Sequence, residues 1–402
     1  MNLLPLLLAV LSVAFLTGSD SLFYLAYVLG GIALVTFIWM RQALHGLRAE
    51  RRFPTRAFYG EEIAAELVVS NQGRWPILWL RLHESLPLSL HVPSFVQRVV
   101  SLAPGEKTAI RYRLNCQRRG YYRLGPLRLR TGDWVDLMRD QEAVWPDDTL
   151  IVYPRIVALH YLGLPSRLPF GDLPSQQRIF KDPSRFFGVR DYYPGDSLRQ
   201  IHWKSSARAD HLLVKRFQPS IALNTLVILN LNVEEYALRS RPTAGETGIV
   251  VAASIAAHLI EKRQPVGLAA LGMDAVTGQA GLQVIPPARG RQHLMRLLET
   301  LARAEMVSTL PFVQVLGQAS ANLGWGSTVI VVTSGASPNL GEACLQMRKQ
   351  GLHVVLIATD PHSSFQRLQE QLKQVGVAAY WVTRDQDLDT WRSDAGRAKA
   401  RV

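Results

Sequence analysis

Thr225-Leu226-Val227-Ile228-Leu229-Asn230 is a six-residue run whose interior is apolar at every position. A short run without polar alternation, rich in branched side chains, reads as a strand buried on both faces. The pattern then repeats. Gly248 to Arg263 reads as an Ala-rich helix, and Val266 to Leu271 as a second strand. Gln292 to Ala304 reads as a helix with Leu294, Leu297, Leu298 and Leu301 on one side. Thr328 to Thr333 and His353 to Ala358 are two further buried strands. Strands alternating with helices imply a mostly parallel sheet covered on both faces. Ligands of such sheets bind beyond the carboxyl ends of the strands. Those ends are Asn230-Leu231-Asn232-Val233-Glu234, Thr333-Ser334-Gly335 and Thr359-Asp360.

Just upstream lies the stretch densest in polar groups, running from Arg190-Asp191-Tyr192-Tyr193-Pro194-Gly195-Asp196-Ser197 through Leu198-Arg199-Gln200-Ile201-His202-Trp203-Lys204-Ser205-Ser206-Ala207-Arg208. Pro194-Gly195 suits the central pair of a type II turn. Asp196 or Ser197 can cap a helix on which Leu198, Ile201 and His202 share a face. Leu212 to Phe217 reads as a strand. Two readings of the motif compete. In one, Arg190, Arg199, His202, Lys204 and Arg208 cradle a phosphate or an acidic partner, and Trp203 supplies an anchoring face. In the other, Asp191, Asp196 and Asp210 neutralise the arginines and the motif braces adjoining domains. A general base at His202 lacks a well-placed nucleophile, since Ser205 and Ser206 are merely near in sequence.

From Ala57 to about Pro154 the chain alternates with period two between turn signals such as Asn71-Gln72-Gly73 and Ala103-Pro104-Gly105-Glu106. That pattern reads as an antiparallel β-sandwich. Val157 to Ser184, rich in Pro, Gly and Ser, reads as an irregular linker.

The chain has 402 residues, enough for two or three domains, and a formal net charge of +13. Its 2 cysteines, Cys116 and Cys344, are far apart and form neither a metal-ligand cluster nor a disulfide framework. Leu3 to Thr17 and Leu22 to Met40 are apolar runs joined by Gly18-Ser19-Asp20-Ser21. As helices they would cover roughly 22 Å and 28 Å, the second close to the hydrocarbon thickness of a bilayer. The first run lacks the basic start and cleavage site of a signal peptide. Arg41, Arg48, Arg51, Arg52 and Arg56 follow, opposed only by Glu50, which places the following body in the cytoplasm by the positive-inside rule. Attraction of these arginines to anionic lipid accounts for part of the positive charge and weakens the case for nucleic acid. A nucleic-acid binder would use Arg178, Lys181, Arg185, Arg190 and Lys215, a set without interleaved aromatic side chains.

The run from Tyr193 to Arg208 resembles the defining motif of the bacterial domain-of-unknown-function-58 family. Arg119-Gly120-Tyr121-Tyr122-Arg123-Leu124-Gly125-Pro126 is similar to that family's strand pair, and the apolar hairpin fits its layout. Gly132-Asp133-Trp134-Val135-Asp136-Leu137 departs from an aspartate-proline-phenylalanine-glycine-leucine stretch common in the family. The resemblance implies that the carboxy-terminal domain is similar to a von Willebrand factor A domain. In that fold an aspartate-x-serine-x-serine strand end, with a later threonine and aspartate, holds a divalent ion. Here Asn230, Asn232 and Glu234 stand at the first place and Ser334 at the later aspartate, so the anionic oxygens that hard cations prefer are lost. Any ion would fall to Asn232, Glu234 and Thr333, with Asn230 beside them. The expectation is no cofactor.

The fold expected is an α+β multidomain membrane protein with a transmembrane helical hairpin (1–40), a basic juxtamembrane segment (41–56) and an antiparallel β-sandwich (57–155). A linker carrying the motif (156–222), an α/β domain with a mostly parallel sheet (223–391) and a basic tail (392–402) complete it. The family resemblance implies a MoxR-type AAA+ ATPase as partner, and a transglutaminase-like membrane protein as a further candidate. The function expected is a non-catalytic scaffold on the bacterial inner membrane, working with that ATPase in assembly or maturation of envelope complexes. An enzyme acting on a phosphate or peptide through His202 and Lys204 is one alternative, and a membrane-tethered nucleic-acid binder is the other.

Overall fold

The computed structural model describes residues 3–132, 141–159, 186–193, 201–209, 211–217, 224–335, 337, 339–360, 365–374 and 376–383. The chain divides into two compact units, Met1–Arg155 and Ile156–Val402.

The first unit opens with helices α1 (Leu3–Thr17) and α2 (Asp20–His45). Gly18, at φ 63°, turns the chain between them. The helices lie side by side, with the Phe15 and Phe23 rings edge to face at 5.3 Å. Large apolar side chains point outward along both, among them Phe15, Leu16, Tyr24, Val28, Leu34 and Val35. α2 runs on to Gly46, whose carbonyl accepts the Gln72 amide at 2.7 Å. A Cβ on Gly46 would stand 2.6 Å from the Gly73 Cα, so this approach of two backbones needs glycine.

Among the described residues ten strands follow: β1 (Leu47–Arg52), β2 (Arg56–Phe58), β3 (Glu62–Asn71), β4 (Ile77–Ser85), β5 (Phe95–Leu102), β6 (Lys107–Asn115), β7 (Gly120–Leu124), β8 (Leu127–Thr131), β9 (Gln141–Trp145) and β10 (Asp148–Tyr153). They form three sheets, ordered β1-β3-β6, β2-β10-β7 and β5-β4-β8-β9. Pairing is antiparallel except between β2 and β10, which run parallel, so the expected purely antiparallel domain is corrected at that pair. All three sheets contribute to one core, including Leu67 and Val69 of β3, Leu80 and Leu82 of β4, Leu114 of β6 and Leu150 of β10. The alternation read from the sequence is the alternation of this burial: β6 reads exposed at Arg111 and Arg113, buried at Tyr112 and Leu114.

The segment 41–56 is not a free basic stretch. Its first residues finish α2, and most of the rest pairs as β1 and β2. Arg51 is buried: its Nε donates to Glu84 Oε1 at 2.8 Å and its guanidinium also reaches Asp148 Oδ2 at 2.9 Å and the Pro146 carbonyl at 2.6 Å. Arg52 pairs with Glu50 at 3.0 Å. A guanidinium can enter a core when its planar donors meet carboxylates, so Arg51 is withdrawn from the lipid-facing set. Burial pushes the Glu84 carboxyl up, and Arg51 opposes that shift.

In the second unit, within the expected linker, the described residues include an antiparallel pair, β11 (Phe186–Asp191) and β12 (Leu213–Phe217), with the short helix α3 (Trp203–Ala209) between them in sequence. Next come β13 (Thr225–Asn230), α4 (Arg241–Glu261), β14 (Val266–Asp274), β15 (Ala280–Ala288), α5 (Arg291–Arg303), β16 (Ala304–Glu305), α6 (Phe312–Ser320), β17 (Thr328–Thr333), α7 (Leu340–Lys349), β18 (His353–Ala358), α8 (Phe365–Gln374) and β19 (Ala378–Trp381). The main sheet is ordered β15-β14-β13-β17-β18-β19, with β16 beside β14. β14, β13, β17, β18 and β19 are parallel, whereas β15 and β16 are antiparallel to β14, so the sheet is mixed. Every residue of β13 and of β17 is buried. Leu226 and Ile228 face α6, α7 and α8, while Leu229 faces α4 at Gly248. Helices on both faces explain why these strands show no polar alternation. α4 is long and apolar enough to cross a membrane, yet it is largely buried here as the central core helix.

Candidate functional site

Pro194, Gly195, Asp196 and Arg199 lie outside the described residues, as do Arg178, Lys181, Arg185, Asp210, residues 133–140 and the tail. The remaining motif residues sit around β12. The Tyr192 amide donates to the Leu212 carbonyl at 2.9 Å and the His202 amide to the Leu213 carbonyl at 2.8 Å. Ile201 bridges Val214 and is buried. Among the described residues the helix starts at Trp203, past Ile201 and His202, which the capping pattern places on it; the cap candidates Asp196 and Ser197 lie outside the described residues. The reason is local: His202 Nδ1 accepts the Ser205 amide at 3.1 Å, so the histidine itself caps the helix. A backbone amide must donate, which assigns the ring proton to Nε2. Ser206 is buried; its Oγ accepts the Leu213 amide at 2.9 Å and donates to the His202 carbonyl at 3.1 Å. The His202 amide and the Ser206 hydroxyl thus tie α3 to β12.

Outside this joint, several described motif residues face solvent. Tyr193 is 64% exposed and Trp203 66%, high values for such large rings. Lys204 and Arg208, four residues apart on α3, are exposed on one side of the helix. Arg190 donates to the Asp191 carbonyl at 3.0 Å and lies 5.8 Å from the Tyr193 ring centroid, a cation–π arrangement. Asp191 pairs with His211 at 3.1 Å. Lys215 lies on β12, opposite Val189.

The strand-end residues form a second polar cluster. Asn230 Oδ1 accepts the Asn232 amide at 2.9 Å, which turns Asn230 Nδ2 toward Glu235 Oε2 at 2.9 Å and Thr333 Oγ1 at 3.0 Å. Asn232 Oδ1 accepts the Glu234 amide at 3.2 Å, and its Nδ2 faces the Thr309 and Leu310 carbonyls. Glu234, the glutamate singled out from the sequence, points instead to the Ser308 hydroxyl. Its neighbour Glu235 enters the cluster, accepting from the Phe312 amide at 2.8 Å and from the Ser337 hydroxyl. Tyr236 donates to the Asn230 carbonyl at 2.6 Å, and burial pushes its phenol well up. Asp360, beyond β18, accepts from the Ala237 amide at 3.1 Å and from Ser240 at 2.6 Å, ahead of α4. Glu235, Ser337 and Tyr236 were not legible as site residues. The available signal was that a strand end followed by a tight turn can send either adjacent carboxylate inward.

A divalent ion needs convergent oxygen lone pairs. Here Asn230 presents an N–H₂ group to the centre, and both Glu235 oxygens accept hydrogen bonds. The residues at this position do not fit a divalent cation.

Residues 188–359 match the family described as "Protein of unknown function DUF58". Over these residues the chain is similar to the DUF58 family. The DUF58 region thus takes in the end of β11, α3, β12 and the sheet through β18. The uncharacterized protein YeaD of Bacillus subtilis (strain 168) is 25% identical over 301 residues, covering 74% of this chain and 72% of that protein. Among solved structures, alpha-2-macroglobulin from Escherichia coli, from domain MG7 to its C-terminus, is 19% identical with a TM-score of 0.23, covering 28% of this chain and 17% of that one. The CARDB domain of the PF1109 protein from Pyrococcus furiosus, solved with di-metal ions, is 16% identical with a TM-score of 0.20, covering 26% of this chain and 86% of that one. Scores so low carry no argument about the DUF58 region or about function.

Proposed function

We propose that this protein is a membrane-anchored, non-catalytic scaffold that presents the α3 surface of its DUF58 region to a protein partner. The observation that carries the reading is the pairing of roles within the motif. The His202 amide and the Ser206 hydroxyl hold α3 on β12 and the His202 ring caps the helix, while Trp203 and Tyr193 stand exposed, as do Lys204 and Arg208. Tryptophan, tyrosine and arginine are the side chains enriched at interface hot spots, the aromatic rings because they bring large contact area with few rotors and arginine because its planar guanidinium donates several hydrogen bonds. The outward apolar side chains of α1 and α2 support insertion in a bilayer. The body then lies on the cytoplasmic side of the bacterial inner membrane. The α/β unit is read as similar to a von Willebrand factor A domain without its ion. The partner proposed is a MoxR-type AAA+ ATPase, with a transglutaminase-like membrane protein as a second, in assembly or maturation of envelope complexes.

The test is affinity purification of the full chain from native membranes, with partners identified by mass spectrometry. The double variant Trp203→Ala, Arg208→Glu should lower recovery of the ATPase at least about tenfold, as expected for loss of one interface anchor worth about 2 kcal/mol. Undiminished recovery, with unchanged circular dichroism, would refute the surface reading.

A further inference from the structure

The first unit holds an open cleft of about 700 Å³ lined by Leu88 to Pro93, Phe95 to Arg98, Ile110 to Arg113, Asn115 and Gln117. It opens between β5 and β6, each of which is the edge strand of its own sheet. The hydrogen-bonding parity of both strands is fixed by their neighbours. The Leu86 amide donates to the Ser94 carbonyl at 2.8 Å, so Val96 and Arg98 face β4, and Phe95, Gln97 and Val99 turn their peptide groups outward. The Cys116 amide donates to Glu61 at 2.9 Å and the Asn71 amide to the Glu106 carbonyl at 3.0 Å, so even-numbered residues of β6 face β3. Ala109, Arg111 and Arg113 therefore turn their peptide groups away from β3. Among the described residues no strand pairs with either outer edge. The Asn115 amide, bonded to the Leu90 carbonyl at 2.8 Å, closes one end of the cleft.

The lining is selective in charge. It includes Arg98, Arg111, Arg113 and His91, and no carboxylate. Arg111 and Arg113 are held at 2.9 Å and 3.3 Å by Glu66 and Glu62 of β3, but on the surface, where such pairs are weak and exchangeable. Apolar contact is offered by Leu88 and Val92, 68% and 81% exposed, and by the half-buried Val96.

We infer that this cleft receives an extended segment of a partner protein, added as a strand between β5 and β6, with apolar and acidic residues alternating along it. Free edge peptide groups supply the main-chain hydrogen bonds of strand addition. The apolar residues of the segment cover the floor, and its carboxylates meet the arginines. This surface is independent of α3, so either can fail without the other.

The experiment uses the full-length protein in detergent and three labelled eight-residue peptides read by fluorescence anisotropy. One alternates valine and glutamate, one alternates valine and lysine, and one is the glutamate peptide N-methylated at every second residue. The glutamate peptide should bind, and the other two should bind at least about tenfold more weakly. The double variant Arg98→Glu, Arg111→Glu should lose the glutamate peptide while keeping its circular dichroism, and hydrogen exchange at Gln97 and Arg111 should slow in the unmodified protein on binding. Failure of the glutamate peptide to bind at millimolar concentration, equal binding of all three peptides, or dimerisation of the chain through this edge without peptide would each overturn the proposal.

Discussion

Asn230 turns its amide nitrogen inward because the Asn232 backbone claims its carbonyl. That single hydrogen bond decides the character of the strand end, since the nitrogen then donates to Glu235 and Thr333. Asn230→Asp would set a second carboxylate against Glu235 and leave Thr333 without its donor. The variant should lose about 2–4 kcal/mol in urea unfolding, the scale of a buried unpaired charge. Equal stability would remove this account of the cluster. Cys116 and Cys344 give a second residue-scale prediction. Burial pushes their thiols up to about 11 and about 12, with Glu61 adding to the shift of Cys116. Neither should be alkylated by iodoacetamide in the folded protein at pH 8, and both should react in denaturant, read by intact mass. Because the folded values lie above the ordinary thiol range of about 8.5, the stability they lend is intact below it and is lost as pH rises through 11 and 12. The polar character of the strand ends was legible because their residues, Asn230, Asn232 and Thr333, are themselves polar. The choice of Glu235 over Glu234 was not, because it depends on the direction of one tight turn.

At the scale of elements, period alone placed β13, β14, β17 and β18 and the helices α4 and α5. α3 starts at Trp203 because Ile201 is drawn into a bridge with Val214 and His202 supplies the cap. Ser206→Ala would leave the Leu213 amide without its acceptor in a buried joint, at a cost of about 1–3 kcal/mol. Hydrogen exchange at Leu213 should speed up while exchange in β13 and β17 stays unchanged; protection retained at Leu213 would contradict the joint. β15 was not marked, since Gln279 to Ala288 mixes Gly, Pro and polar residues, and only its partner β14 makes it a strand. The two strands approach closely at Gly267, where a Cβ would stand 2.7 Å from the Ile285 carbonyl oxygen and 2.8 Å from the Pro287 nitrogen. Gly267→Ala should therefore cost about 1–3 kcal/mol, the range for forcing backbone apart in a packed interior, and a thermal midpoint equal to the parent's would show that the strands can part freely.

Over the whole molecule, the apolar helices at the amino terminus carry the prediction about location. Removing residues 1–45 should move the chain from the carbonate-washed membrane pellet to the soluble fraction, detected by immunoblot; a truncated chain that stays in the pellet would end the anchor reading. Fewer arginines are left to face lipid than the run from Arg41 to Arg56 contains, since Arg51 is locked to Glu84 and Asp148 inside the first unit. What the sequence determined by itself is whatever depends on composition and period: the apolar runs, the alternating strands of the first unit, the buried strands of the second, and the motif that marks a DUF58 region. These are legible because each residue's side of an element follows from its spacing along the chain. Tertiary structure alone decided which charges are buried in pairs, which glutamate turns inward and which strand edges stay open. Those outcomes are set by groups distant in sequence competing for the same hydrogen bonds, and that competition leaves no periodic trace.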